Sequence, residues 1–467
     1  MPRHVLAAFL FALVHAAPAL AQTVTARGDS ALVGTWAAEE PYFRAQIRVS
    51  RDAGGALTAH FTGDDGELGL TFSAVAVRGD SVFLAVDELE VRFAGALSAG
   101  PAVSGTWRQG AASVVLTLVP AGRPPSLAAT PAAPRRPQTP VPPYPYRSET
   151  VAFRSEPSGV VLGGTLTVPD GPGPHPAVVL VSGSGQTDRD FTLDGHRSFA
   201  VIADHLARRG VATLRYDDRE VGASGGTAAA MTFDDEARDV AAGMRALAAR
   251  PDIDARRIGL VGHSHGGVIA PHVHSRHERA AFLVLLAAPA IRLDSLLARQ
   301  NVRLALAAGM PAEDAAAVGR LVREVFRAAR ADTDSLVAAG QMQAAHERFG
   351  MRGEAAQQSI RAHTARGFRD VMRLDPALAL GRVDVPVLVV FGTKDLDVTE
   401  AENRAPLLAA LPAGADVTAH TVVGMSHWFQ PATTGLADEI GRTETTVMPE
   451  LLDVLAGWLR SRAAVAD

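Results

Sequence analysis

A serine lies at the centre of a glycine-flanked pentapeptide, Gly262-His263-Ser264-His265-Gly266. The apolar run just before it predicts a buried strand, and the residues after it predict a helix. A G-x-S-x-G pentapeptide between a strand and a helix is typical of a nucleophile elbow, which pushes the serine outward. The two flanking glycines lack a Cβ, so the strand and the helix can pack closely. Ser264 is therefore the candidate nucleophile, and the alternative is a glycine-rich turn with an incidental serine.

A serine hydroxyl becomes a good nucleophile only when a base takes its proton and an acid orients that base. In proteins with such an elbow, the acid and then the histidine follow the serine along the chain. Asp395 lies just past an apolar strand predicted at residues 387–391, and it is preferred over Asp397 as the acid because it ends a Gly-x-x-Asp turn. His427 lies on a loop after a further strand and is the expected base. His420 lies within that strand and is expected to be structural.

Backbone N–H groups must also stabilise the negative charge that develops on a substrate oxygen. One donor is expected to be the N–H of His265, directly after the candidate nucleophile. The second should come from the loop after a strand predicted at residues 178–181, where glycines let the backbone approach a substrate. Ser184 is the preferred second donor of this oxyanion hole, and Gly185 is the alternative.

Five histidines cluster around the candidate nucleophile, at positions 263, 265, 272, 274 and 277. They could indicate a metal site or simply one part of the helix that follows Ser264. His272 and His274 are two residues apart, so on a helix they point to different sides. Glu278 is the only carboxylate nearby in the sequence that could complete a ligand set. We therefore predict that these histidines bind no metal.

The composition excludes several kinds of chemistry. The 467 residues contain no cysteine, which excludes thiol nucleophiles, disulfides and cysteine-based zinc sites. Lys394 is the only lysine and is followed by Asp395, so the Gly-Lys-Ser/Thr sequence of a phosphate-binding loop is absent. A formal net charge of −5 gives no reason to expect nucleic acid as a partner. The length predicts two or three structural units.

The N-terminus predicts a secretory signal peptide over residues 1–21. Arg3 precedes an apolar run at residues 5–14, and residues 19–21 (Ala-Leu-Ala) resemble a cleavage site. The apolar run is much shorter than the roughly 20 residues that span a bilayer, so a stable membrane anchor is not expected. The mature protein is therefore expected to be periplasmic or secreted.

Residues 30–120 predict a small antiparallel β-domain. Leu89, Val91 and Phe93 alternate with charged residues, as in a half-buried strand, and glycines separate several such runs. A barrel and a sandwich both fit this pattern. An accessory role is favoured over ligand binding, because most small barrels are filled by their own side chains.

Residues 121–146 predict an extended linker after the β-domain. Prolines recur throughout this stretch, and they favour polyproline geometry and prevent a packed core. The basic pair Arg135-Arg136 within it is expected to contribute only to solubility.

The pattern changes at about residue 147 to an alternation of strands and helices that continues to residue 463. Continuous apolar strands separated by helices predict a mostly parallel, doubly wound α/β sheet covered on both faces. Alanine-rich helical sequence at about residues 292–380 interrupts this alternation. An insertion of this size predicts a helical cap over the carboxyl edge of the sheet, where ligands bind in such folds.

Six motifs occur in order along this part of the chain: Pro142-Pro143-Tyr144-Pro145-Tyr146, Ser182-Gly183-Ser184-Gly185 with Asp188-Arg189-Asp190, Leu214-Arg215-Tyr216-Asp217-Asp218-Arg219, residues 262–267, Gly392-Thr393-Lys394-Asp395, and Ser426-His427-Trp428-Phe429-Gln430. The set resembles that of bacterial EstD-like serine esterases of the α/β-hydrolase superfamily. The resemblance implies an α/β-hydrolase fold with a cap and an N-terminal β-domain. It also implies a catalytic triad of Ser264, Asp395 and His427 that hydrolyses small carboxylic esters without a cofactor.

Two positions depart from the pattern of the resembling family. Glu220 stands where that family has glycine, and Asp397 stands where an amide-bearing residue is usual, which adds negative charge near the site. Three hypotheses follow: a serine carboxylesterase that forms an acyl-enzyme, a serine peptidase of the aminopeptidase or Xaa-Pro type on the same fold, and a non-catalytic binding protein. The complete triad favours the two enzymes, and the sequence leaves their substrate's acyl and alcohol groups and the oligomeric state open.

Overall fold

The structure is a computed structural model that describes most of the chain. It describes residues 32–38, 45–52, 54–63, 69–78, 81–86, 91–97, 102–109, 112–121, 135–228, 231–307, 310–331 and 334–463. The expected signal peptide at residues 1–21 and part of the expected linker lie outside these residues. The chain divides into two compact units, Met1–Ala132 with Gly350–Ala355, and Ala133–Phe349 with Ala356–Asp467. None of the described helices is both long and apolar enough to cross a membrane.

The N-terminal unit contains the all-β domain that the alternating sequence predicts. Its strands are β1 (Gly34–Ala38), β2 (Ala45–Arg51), β3 (Leu57–Gly63), β4 (Gly69–Thr71), β5 (Ala74–Arg78), β6 (Ser81–Val86), β7 (Val91–Leu97), β8 (Val103–Gln109) and β9 (Ala112–Pro120). They form one sheet in the order β4-β3-β2-β1-β9-β8-β7-β6-β5. Strands β3 and β5 also contact each other, and one core cluster collects side chains from most of the strands. The sheet therefore curls around a single interior, as a barrel does, rather than splitting into a sandwich.

The tripeptide Gly-Thr-Trp occurs at residues 34–36 on β1 and at residues 105–107 on β8, and each copy places its tryptophan in this interior. On β1, the indole N–H of Trp36 donates to the carbonyl oxygen of Leu32 at 2.7 Å. On β8, the ring of Trp107 packs against those of Phe61 and Phe72, with centroids 5.4 and 6.0 Å apart. Large aromatic side chains therefore fill part of the interior, and the buried indole N–H of Trp36 finds a hydrogen-bond partner.

The second unit is built on an eight-stranded mixed sheet. Its strands are β10 (Tyr146–Ser155), β11 (Val160–Pro169), β12 (His175–Val181), β15 (Ala212–Tyr216), β16 (Ile253–His263), β17 (Leu283–Leu286), β18 (Val387–Gly392) and β19 (Val417–Val422), while β13 (Thr192–Leu193) and β14 (His196–Arg197) form a small separate hairpin. The order is β10-β11-β15-β12-β16-β17-β18-β19, and the pairs from β15 to β19 are parallel. This confirms the doubly wound, mostly parallel α/β-hydrolase fold.

The antiparallel hairpin of β10 and β11 at one edge of the sheet was not predicted. Strand β11 contains Gly163-Gly164, and a Cβ on either glycine would clash, at Gly163 with Ala223 and at Gly164 with the carbonyl oxygen of Arg215. A neighbouring side chain at Gly163 and neighbouring backbone at Gly164 thus occupy the space that apolar side chains take in other strands. The strand lacks the continuous apolar run that predicts its neighbours.

Helices cover the sheet between its strands. They are α1 (Ser198–Ala207), α2 (Phe233–Ala248), α3 (Gly266–Arg276), α10 (Glu400–Ala410) and α11 (Pro449–Ala463), with a 3₁₀ turn at Ala437–Arg442. Helix α2 begins with a capping box, in which Thr232 Oγ1 accepts from the N–H of Asp235 at 3.2 Å and the Asp235 carboxylate accepts from the N–H of Thr232 at 2.9 Å. These reciprocal bonds satisfy two N–H groups that a helix start leaves unpaired, and they fix the first turn.

Six further helices lie between β17 and β18, where the sequence predicts a cap. They are α4 (Leu293–Ala307), α5 (Ala312–Arg330), α6 (Ser335–Arg348), α7 (Gly353–Thr364), α8 (Arg366–Arg373) and α9 (Pro376–Leu380). Helix α4 is fastened to the loop after β18, because Arg303 donates to the carbonyl oxygen of Leu396 at 2.7 Å, and to α10 through the ion pair of Arg303 with Glu402 at 3.0 Å. The insertion therefore contacts the loop that carries the candidate acid.

The last part of the expected linker belongs to the second unit and is hydrogen-bonded to its loops. Arg136 donates to the carbonyl oxygens of Thr443 at 2.6 Å, Asp194 at 2.9 Å and Gly441 at 3.0 Å. The prediction that Arg135-Arg136 contributes only to solubility is wrong for Arg136. A guanidinium with several fixed donors can bind carbonyls from separate loops at once, which a short basic run does not show in sequence.

Candidate active site

Ser264 lies in a tight turn between β16 and α3. Its φ angle is +54°, a left-handed conformation that side-chain-bearing residues keep only when the surroundings hold them. Its N–H donates to the carbonyl oxygen of Leu286 on β17 at 2.9 Å. A Cβ on Gly262 would overlap the carbonyl of Gly266, and a Cβ on Gly266 would overlap the carbonyl of Val181. These close approaches explain why glycine flanks the serine on both sides.

Asp395 and His427 are in direct contact although they lie on different loops. Asp395 Oδ2 is 2.8 Å from His427 Nδ1, and both side chains are buried. The other oxygen of Asp395 accepts from the N–H groups of Asp397 at 2.8 Å and Val398 at 2.7 Å. The carboxylate is thereby fixed with one oxygen on Nδ1, which leaves Nε2 of the imidazole to accept a proton from a nucleophile.

Asp397, the other candidate for the acid, has a different side-chain partner. Its Oδ1 accepts from the Gln300 amide of α4 at 2.5 Å. Its charge still acts on the histidine: burial by itself lowers the pKa of His427, but the negative charges of Asp395 and Asp397 outweigh burial and raise this pKa to about 9. The protonated imidazole, which forms when the ring takes a serine proton, is therefore stabilised.

His263 joins the loop of the serine to the loop of the histidine. Its Nε2 donates to the carbonyl oxygen of His427 at 2.9 Å, and the two ring centroids are 4.7 Å apart. Burial, together with the positive charge on His427, lowers the pKa of His263 well below its usual value, so its ring stays neutral. Because His263 is the neighbour of Ser264, this contact brings the elbow and the acid–base pair together. The sequence showed His263 as an elbow position and as one of five clustered histidines, and neither pattern predicted this contact.

Two other histidines considered in the sequence are engaged elsewhere. His420 on β19 has its Nε2 2.8 Å from Glu450 of α11. His274 is buried on α3, and its Nε2 is 2.9 Å from Asp384.

The expected oxyanion loop passes beside the serine. A Cβ on Gly183 would lie 3.5 Å from the Cβ of Ser264, so no larger residue separates the loop from the elbow. Ser184 and Gly185 follow and are exposed. On the other side, no hydrogen-bond partner for the backbone N–H of His265 is found within the described part of the chain. Ser184 and His265 remain the predicted donors to a substrate oxygen.

Asp218 ties the two ends of this loop together. Its Oδ2 accepts from Ser182 Oγ at 3.3 Å, from the N–H of Thr187 at 2.8 Å and from Thr187 Oγ1 at 3.0 Å. Burial raises the pKa of Asp218 to about 7, although these donors act in the opposite direction. The sequence motif contains this residue, but nothing in the motif shows that it supports the oxyanion loop.

Asp217, the neighbour of Asp218, is instead neutralised by a cation. Arg189 donates to its two carboxylate oxygens at 3.0 and 2.5 Å. Burial acts to raise the pKa of Asp217, but Arg189 and the N–H of Ala223 hold it below its usual value. A second buried ion pair, Arg219 with Asp239 at 2.7 Å, joins the same loop to α2. These motif residues therefore fix the loops around Ser264.

Comparison with known proteins places the chain in a family. The model of the family described as serine aminopeptidase, S33 matches residues 174–430, which is more than half of the chain. The chain belongs to this family. Esterase EstD of Thermotoga maritima is 27% identical over 243 residues, which is 52% of this chain and 52% of EstD, so the chain spans about half the length of this curated relative. The resemblance to EstD-like proteins is thereby confirmed.

Solved structures that align with this S33-family chain include an α/β hydrolase and an esterase, both of low identity. GrgF, an α/β hydrolase from Penicillium sp. sh18, is 17% identical, with 68% of this chain and 99% of that chain covered and a TM-score of 0.44. The esterase Pf2001 of Pyrococcus furiosus is 14% identical, with 68% of this chain and 92% of that chain covered and a TM-score of 0.43.

Glu220, a departure from the sequence pattern, occupies a turn that favours glycine. Its φ angle is +71°. A left-handed φ costs a residue with a Cβ about 1 kcal/mol or more relative to glycine. The Glu220 carboxylate accepts from the N–H of Ala228 at 2.8 Å, which offsets part of this cost. The turn after Asp217 and Asp218 is therefore formed despite the missing glycine.

His272 on α3 and His277 directly after this helix contact a carboxylate that lies far away in the sequence. His277 Nε2 and His272 Nε2 lie 2.8 and 3.5 Å from Oδ1 of Asp234 in the first turn of α2. His265 Nε2 lies 2.7 Å from Glu236 in the same turn. These acidic residues are far from the histidines in sequence, and only the packing of α2 against α3 brings them together.

Proposed function

We propose that this S33-family chain is a serine carboxylesterase that hydrolyses small, short-chain carboxylic esters. The observation that carries the proposal is the buried contact of Asp395 with His427. His263, the residue before Ser264, donates a hydrogen bond to the backbone of His427 and so joins this pair to the nucleophile elbow. A base oriented by a carboxylate beside an elbow serine is the arrangement that activates a serine for acyl transfer. The relative EstD, named as an esterase, supports esters as the substrate class.

The proposed reaction proceeds through an acyl-enzyme. His427 Nε2 takes the hydroxyl proton of Ser264 as Oγ bonds to the ester carbonyl carbon, and the carbonyl electron pair moves onto oxygen. The N–H groups of His265 and Ser184 stabilise this oxyanion. The intermediate collapses as the C–O bond to the alcohol breaks, and the alcohol oxygen takes the proton from His427. Water then repeats the sequence on the acyl-enzyme, which releases the carboxylic acid and restores Ser264.

The serine assignment is tested with Ser264→Ala. We expect kcat for p-nitrophenyl acetate to fall by about 10⁴-fold or more, because the nucleophile is removed while the fold is kept. Ser461→Ala is the matched control: this serine lies on α11, its hydroxyl donates to the carbonyl of Trp458 at 2.7 Å, and its loss should leave kcat unchanged. Labelling by a fluorophosphonate should likewise disappear only in Ser264→Ala. Retained turnover with an unchanged melting temperature would sink the assignment.

A serine peptidase is the second candidate, since the description of the matching family names an aminopeptidase. The same triad can cleave an ester or an amide, so substrate pairs must separate the two. One aminoacyl group is offered both as a p-nitrophenyl ester and as a p-nitroanilide, beside p-nitrophenyl esters of increasing acyl length. An esterase turns over the short acyl esters and leaves the anilide intact. Rapid anilide cleavage with inert acyl esters favours the peptidase.

A further inference from the structure

We propose that Asp234, His272 and His277 form a binding site for a divalent transition-metal ion, best matched by Zn²⁺, between α2 and α3. One carboxylate oxygen and two imidazole nitrogens offer ligand atoms that all lie within 4.8 Å of one another. Two histidines and one carboxylate form a ligand set that zinc takes in three-residue sites, with water in the remaining position. The nitrogen ligands disfavour Mg²⁺ and Ca²⁺, which prefer oxygen.

Two helices hold the ligand atoms in place. Asp234 lies in the first turn of α2, and Arg238 donates to its Oδ2 at 2.8 Å. The other carboxylate oxygen, Oδ1, faces His277 Nε2 at 2.8 Å and His272 Nε2 at 3.5 Å. Tetrahedral zinc with bonds of about 2.0–2.1 Å needs ligand atoms about 3.3 Å apart. The spacing of His272 Nε2 from Oδ1 is already near this value, and His277 Nε2 must move outward from Oδ1 by a fraction of an ångström.

The imidazole of His272 is prepared for metal binding. Phe233 packs edge-on against it with ring centroids 4.9 Å apart, which fixes the ring plane. The side chains of His272 and His277 are 17% and 14% exposed, so an ion can reach both and water can complete its coordination.

The site joins two helices that position the elbow and stays outside the proposed reaction. His272 follows Ser264 by eight residues, which is about 12 Å along a helix axis, so the ion does not contact the substrate. Helix α3 starts at the elbow, and α2 supplies Glu236, which contacts His265. Phe233 packs against the rings of both His265 and His272. An ion that clamps α2 to α3 thus stabilises the surroundings of a predicted oxyanion donor.

The first test is calorimetric titration of the untagged, EDTA-treated and dialysed protein with Zn²⁺. We expect one ion per chain, and we expect Asp234→Asn, His272→Gln and His277→Gln each to weaken binding about 100-fold or more, since even the loss of residues that only support metal ligands costs up to that much. His420→Gln is the matched control: His420 Nε2 also lies 2.8 Å from a carboxylate, that of Glu450, and among the described residues this pair belongs to no three-ligand group. Wild-type protein without a stoichiometric site, or variants that bind as wild type, would overturn the proposal.

The second test separates metal binding from folding. The melting temperature of each protein in EDTA is its own metal-free reference, because the variants also lose hydrogen bonds of Asp234 that do not depend on the ion. Saturating Zn²⁺ should raise the wild-type melting temperature by about 5 °C and leave the variants unmoved, because only a native state that binds the ion gains stability. Mg²⁺ should shift none of them. A Zn²⁺-induced shift of equal size in wild type and variants would contradict the assignment, and if one variant fails to fold, the other two decide.

Discussion

Two pairs of aspartates follow parallel strands of the same sheet, Asp217-Asp218 after β15 and Asp395 with Asp397 after β18. Both strands run in the same direction, so both pairs lie at the carboxyl edge that also carries Ser264. In each pair, one carboxylate has a partner that stabilises its charge. Arg189 faces Asp217, and the imidazole of His427 faces Asp395.

Asp218 and Asp397, the remaining aspartates of the two pairs, contribute to the site in different ways. Asp218 accepts hydrogen bonds from two hydroxyls and one N–H, so it supports the loop as a hydrogen-bond acceptor. Burial raises its pKa to about 7, which disfavours its charged form. Asp397 keeps its influence through charge, since it raises the pKa of His427. An acidic residue at a strand end therefore has a structural or a chemical role according to what faces it. The variants below test this distinction.

The largest effect is expected at Asp395. Asp395→Asn should lower kcat/KM for short p-nitrophenyl esters by about 10⁴-fold, and Asp395→Ala by a similar factor. An amide cannot hold the N–H form of Nδ1 or stabilise the imidazolium, so a nearly isosteric side chain gives no rescue. Asp453→Asn is the control, because that carboxylate is 72% exposed and should be silent. An Asn variant within tenfold of wild type would remove Asp395 from the triad.

A smaller effect is expected at Asp218, and here, unlike at Asp395, the asparagine variant should keep most of the activity. Asp218→Ala removes the acceptor for Ser182 and Thr187, and we expect kcat to fall by about 10²–10³-fold, as when an oxyanion donor is lost. Asp218→Asn keeps an acceptor oxygen and resembles the protonated acid, so it should stay within about tenfold of wild type. Steady-state kinetics of both variants checks this. Equal losses of kcat in the Asn and Ala variants would mean that the charge of Asp218 matters. The aspartates after β15 and after β18 would then both act through their charge.

Sequence reasoning reached the parts of this site that depend on local pattern. The elbow around Ser264 and the strand before Asp395 each leave a mark within a few residues, and the mostly parallel α/β sheet follows from the run of apolar strands. The order of the serine, acid and histidine motifs supplied the rest of the predicted triad. In the structure, the Asp395 carboxylate contacts the His427 imidazole, and His263 joins the loop of Ser264 to the loop of His427.

Contacts between distant elements left no such mark. The tether of Asp218 to Thr187 depends on β15 pairing with β12, and the approach of Asp234 to His277 depends on α2 packing against α3. Strand β11 was missed because glycines replace its apolar side chains. In each case, tertiary packing decides which residues come into contact, so the sequence around each residue contains no periodic pattern that predicts the contact.

The pH profile should separate the chemical from the structural carboxylates. His427 must be neutral to take a proton, so kcat/KM should rise with pH through the raised pKa of His427. Asp397→Asn removes one of the charges that raise this pKa. We expect the acid limb to move to lower pH by about one unit, and kcat/KM well below the limb to increase about tenfold. The exposed Asp416, changed to Asn, should leave the limb in place. A limb that stays fixed or moves to higher pH in Asp397→Asn would show that Asp397 does not act on the histidine.

The smallest effect is expected in the turn after Asp218, where Glu220 has a φ of +71°. Glu220→Gly and Glu220→Ala both lose the bond to the N–H of Ala228, so their difference isolates the backbone conformation. Glycine should be more stable than alanine by about 1 kcal/mol in urea unfolding, because its freedom in the left-handed region outweighs its greater flexibility in the unfolded chain. The kcat/KM of both variants should agree within about twofold, since the turn supports the oxyanion loop and does not touch the substrate. Equal stability of the two variants would show that the turn relaxes around a Cβ. A loss of turnover in only one of them would show that the conformation of this turn affects catalysis.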